Sequence, residues 1–150
     1  LPPGEPVTMV IDGVEPEVYL VSRKLAPASP EQKEELLEIQ DLILEEEYER
    51  ARDLLVEKAE SGDLSLEGYQ LLAKAHGALG EREEALAIVD MFESLGDQGN
   101  AWGYLVVADL YLYLGELDLA WEYLELVPYS ELSPSAQAHY REIVEYLEEE

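Results

Sequence analysis

The feature that most constrains this chain is a recurrence of alanine in matching surroundings. Glu46-Glu47-Tyr48-Glu49-Arg50-Ala51, Gly80-Glu81-Arg82-Glu83-Glu84-Ala85 and Gly115-Glu116-Leu117-Asp118-Leu119-Ala120 align, and their alanines stand 34 and then 35 residues apart. Upstream of the later two, Tyr69, Leu72, Ala73 and His76 match Tyr104, Val107, Ala108 and Tyr111. A fixed period of this length means that one supersecondary unit is copied along the chain, each copy burying its apolar face against the next.

Local signals make the unit helical. Ser29-Pro30-Glu31-Gln32 offers a cap, a proline suited to the first helical position and a glutamine able to complete a capping box. Further starts fall near Ser65, Asn100 and Ser133-Pro134, while Gly62, Gly80, Gly96 and Gly115 mark expected ends or turns. The spacing predicts helices of about 12 to 16 residues, and connections this short place neighbours antiparallel.

On these positions the sequence resembles the tetratricopeptide repeat family, whose unit is a helix pair of about 34 residues with aromatic, Leu, small, aromatic, Gly and Ala signature positions. The resemblance spans residues 30–150 and implies a mainly α fold, an antiparallel helix-pair solenoid. Its units would cover about 30–61, 64–96 and 99–130, with a capping helix at about 133–149. Small residues at Ala73, Ala85, Ala108 and Ala120 would let paired helices approach, and Leu55, Val89, Phe92, Leu124 and Val127 would fill the space between pairs. The first unit departs from the pattern: it has Glu46 in place of glycine, and its opening helix fits only with a one-residue slip that turns Leu36, Ile39 and Ile43 inward. The last helix carries Ala136, Tyr140, Ile143, Val144 and Leu147 on one face and glutamates on the other, as a terminal cap requires.

Residues 1–29 have a different texture. Pro2, Pro3, Pro6, Pro16 and Pro27 punctuate β-branched runs, which argues against helix. Val7-Thr8-Met9-Val10-Ile11 and Val18-Tyr19-Leu20-Val21 read as two strands of a hairpin around a turn containing Asp12-Gly13. Two strands alone are marginal in water, so they are expected to pack on the helices, or else on another chain. The start at Leu1-Pro2-Pro3-Gly4, without an initiator methionine, points to processing or excision, and leaves a cytoplasmic or an exported location open.

The chain holds 35 Asp and Glu against 9 Lys and Arg, a formal net charge of -26, so nucleic acid and anionic lipid are poor partners. With 47% hydrophobic residues it can still bury a core. Glu exceeds Asp, as helix propensity favours, although a lysine-poor acidic surface also suits high salt. No cysteine is present, which excludes thiol catalysis and Cys-ligated zinc. His76 and His139 lack metal-ligand spacing, and read as a packing residue and a surface or cap-helix residue. No phosphate loop, nucleophile elbow or calcium loop occurs, so neither enzyme activity, cofactor nor metal is expected.

The family resemblance implies a concave groove lined by the first helix of each pair. By phase it would present Gln70 and Lys74, then Trp102, Leu105, Asp109, Leu112 and Tyr113, with Trp102, Leu105 and Leu112 forming one apolar stripe. The expected function is a non-catalytic interaction module or scaffold, holding a basic or amphipathic protein segment. Two other classes remain open: a structural subunit of a larger assembly, an envelope or secretion-related one included, and an acidic mimic of nucleic acid.

Overall fold

The computed structural model describes residues 28–149. Their regular secondary structure is entirely helical: α1 (Pro30–Leu44), α2 (Tyr48–Glu60), α3 (Leu66–Ala78), α4 (Arg82–Asp97), α5 (Ala101–Tyr113), α6 (Leu117–Leu126) and α7 (Pro134–Glu149), with a 3-10 turn at Tyr129–Glu131. The hairpin expected at the N-terminus lies outside the described residues.

The starts follow the capping residues. Ser29 forms the full box with Gln32, Ser65 Oγ accepts from Gly68 N, Asn100 Oδ1 from Trp102 N, and Ser133 Oγ from Ala136 N. The ends share one device. At Gly62, Gly80, Gly99 and Gly115 the backbone turns to positive φ, and the following N–H returns to a carbonyl five residues back, at 2.8 to 3.0 Å. Glu46, φ 63°, makes the same closure without being glycine, its successor Glu47 N donating to Leu42 O at 2.8 Å. The expected turn at Gly96 is corrected by this geometry. Gly96 is buried in the last turn of α4, and Gly99 closes the helix instead. The short α6 stops at Leu126 because Pro128 forces Val127 into an extended conformation.

Helices α1 to α6 pack chiefly on their sequence neighbours, α1 also touches α3 and α3 touches α5, and α7 lies against α5 as well as α6. Ala85, Ala108 and Ala120 are completely enclosed, and Leu55, Val89, Phe92 and Leu124 fill the seams. Leu36, Ile39 and Ile43 face inward, as the slipped phase requires, and Ala136, Ile143 and Leu147 bury one face of α7. Helices α4 and α5 approach closely at their backbones: a Cβ on Gly103 would stand 2.4 Å from Gly96 N and 2.8 Å from Phe92 O. Arginines tie alternate helices, Arg52 of α2 to Glu81 at the start of α4, and Arg82 of α4 to Glu116 at the start of α6.

Candidate functional site

A cleft of about 520 Å³ opens on the side shared by α1, α3 and α7. Leu36, Leu37 and Leu71 give it apolar walls, Gln40 and Gln70 add amides, and Lys33, Lys74 and His139 add cationic groups. Glu67 is the one carboxylate in its lining among the described residues, and Glu67 Oε1 accepts from Ala28 N at 3.1 Å. Leu37 is 61% exposed, a large apolar side chain left in solvent beside a concavity. The helical phase explains this placement: Lys33, Leu37 and Gln40 lie one turn apart on α1, and Glu67, Gln70, Leu71 and Lys74 do the same on α3.

Behind the cleft sits Asp109 of α5, only 7% exposed. Gln70 Nε2 donates to Asp109 Oδ2 at 2.8 Å, Lys74 Nζ lies 3.1 Å from the same oxygen, and His139 Nε2 stands 3.4 Å from Oδ1. Burial pushes this carboxyl up, but His139, Lys74 and Gln70 together outweigh it and hold the group at about 2. His139 is raised in turn, chiefly by its contact with Asp109, against the opposing effect of burial. Three helices therefore meet on one buried negative charge. Lys74 Nζ also lies 5.7 Å from the centre of the Tyr113 ring, whose hydroxyl is pushed up to about 12 by burial and by Tyr48.

Of the residues expected in the groove, Gln70, Lys74, Asp109 and Tyr113 come together, but Asp109 anchors from beneath instead of facing outward. The expected apolar stripe is corrected. Leu105 is 0% exposed within the core around Ala120 and Leu124. Trp102 is half-buried, packing edge-on against Phe92 at 5.6 Å, and Leu112 packs on the same core as Leu105. The cause is α5 itself, Ala101–Tyr113, which is apolar around its whole circumference and so is enclosed by its neighbours. That composition was a usable signal: the one carboxylate in such a helix has to be paired.

The repeat pattern did not point to Lys33, Leu36, Leu37 and Gln40 as lining residues, because α1 fits it only with a slipped phase, nor to Glu67 and Leu71 of α3, which flank the Gln70 and Lys74 positions that it did. His139 is on the last helix as expected, yet it faces the cleft and Asp109 instead of serving as surface alone. His76 is buried, with Nδ1 2.7 Å from Glu81 Oε1. Among the described residues no group of His, Asp and Glu is arranged to hold a metal ion, and no helix is long and apolar enough to cross a membrane. Comparison of the chain with protein-family models, with curated proteins and with solved structures finds no match.

Proposed function

We propose that this chain is a tetratricopeptide-like helix-pair solenoid, capped by α7, that acts as a non-catalytic binding module. The order of contacts supports the solenoid: each helix lies against the next, and first helices of successive pairs touch in turn. The cleft on those first helices carries the functional reading. It combines exposed leucine with a few polar groups fixed by a buried anchor, the composition expected of a site that takes a partner's side chains. Its occupant is an amphipathic protein segment, with apolar anchors held on Leu37 and Leu71.

The test compares capture from source-cell extract by the parent chain and by the Leu37→Asp, Leu71→Asp double variant, whose folding is checked by circular dichroism. A protein retained by the parent and lost by the folded variant is the expected outcome. Equal retention by both sinks the cleft as the binding site.

A further inference from the structure

The cleft departs from the charge of the rest of the molecule. Nine Lys and Arg serve 35 acidic residues in the chain, and Arg23 and Lys24 precede the described residues, leaving seven. Four of the seven are paired with carboxylates away from the cleft: Arg50 with Glu47, Arg52 with Glu81, Lys58 with Glu35, and Arg82 with Glu116. Arg141 donates to the Tyr129 hydroxyl. The remaining two, Lys33 and Lys74, both line the cleft, together with His139. Against them stand Glu67 in the lining, Asp109 beneath and Glu142 3.7 Å from His139 Nδ1, so the cleft comes near charge balance on a chain of net charge -26.

We infer that the cleft selects an amphipathic segment bearing a carboxylate, which sits between Lys33 and Lys74 while its apolar side chains lie on Leu37 and Leu71. This deepens the binding-module reading and rests on it, but narrows the partner from the basic or amphipathic segment that overall charge suggests. The physical argument is local. A carboxylate in a partly apolar concavity meets nearby ammonium groups at short range and reduced dielectric, where screening is weak. A lysine or arginine there would face the ammonium groups of Lys33 and Lys74 at the same short range. The surrounding glutamates act at longer range, opposing the approach of an anionic partner in a salt-dependent way.

A library of random twelve-residue peptides displayed against the immobilised full chain reads this preference directly. Enriched peptides are expected to combine leucine-like or aromatic residues with Asp or Glu. The best of them should bind the Lys33→Glu and Leu37→Asp variants roughly tenfold or more weakly. A net-negative peptide should associate faster as salt rises from about 0.02 to about 0.2 M, because the molecule's long-range repulsion is screened first. Enrichment of Lys- and Arg-rich peptides that still depend on Leu37 overturns the charge preference and leaves the cleft reading standing. Peptides indifferent to Leu37→Asp, or no enrichment at all, overturn both.

Discussion

Glu46 occupies the left-handed position that glycine fills at four other helix ends, and it makes the same backbone closure. A side chain at positive φ costs about 1 to 2 kcal/mol, and glycine gives back about 0.5 to 1 kcal/mol through chain entropy. Glu46→Gly should therefore raise stability by about 0.5 to 1 kcal/mol, read from the denaturant midpoint at unchanged slope. The sequence showed this residue as a departure from the pattern, and the backbone kept the pattern regardless. Asp109 was harder to place. Its type and phase suggested an exposed groove residue, and only the partners drawn from α3 and α7 reveal an enclosed one. Removing its charge by Asp109→Asn leaves the Lys74 ammonium without its carboxylate partner and takes away the main support of the raised His139, and should destabilise the fold by about 2 kcal/mol.

Elements were legible wherever capping chemistry and period agreed. Ser29, Ser65, Asn100 and Ser133 each start a helix through a bond that the residue type itself makes available. The apolar stripe that the family phase implies does not form, because Ala101–Tyr113 is apolar all round and its neighbours enclose Leu105. The small-residue contacts give the sharpest test of helix placement. Ala85 and Ala120 have no exposed surface, so enlarging either to leucine should cost about 1 to 3 kcal/mol in chemical denaturation. Gly103→Ala is the stricter case. Its added Cβ would meet the backbone of Gly96 and Phe92, which cannot swing aside as a side chain can, and a loss of about 2 kcal/mol is expected. A Gly103→Ala variant matching the parent would mean that α4 and α5 are not in this contact.

Across the whole molecule, the Asp109 cluster joins α3, α5 and α7 and ties stability to pH. Asp109 is depressed, so its contribution is present above its unfolded value near 4 and is lost as pH falls toward about 2. His139 is raised, so its contribution is complete below about 6.5 and is lost as pH rises through its folded value. Lys74 and Glu142 are the other charged groups facing the imidazole. Amide protection factors in α7, which remove the intrinsic pH dependence of exchange, should be highest between about pH 4 and 6.5, and His139→Gln should remove the alkaline dependence while sparing the acidic one.

The repeat made the order of helices readable, whereas the cleft depends on how α1 lies beside α3 and on α7 bringing His139 to the same side, which no periodicity encodes. That arrangement carries the functional account, and backbone amide shifts of the labelled full chain, titrated with the most enriched peptide, test it most directly. The account expects the largest changes at residues 33–40 and 67–74 and at His139. Changes confined to α2, α4 and α6, with the cleft residues unmoved, would contradict it.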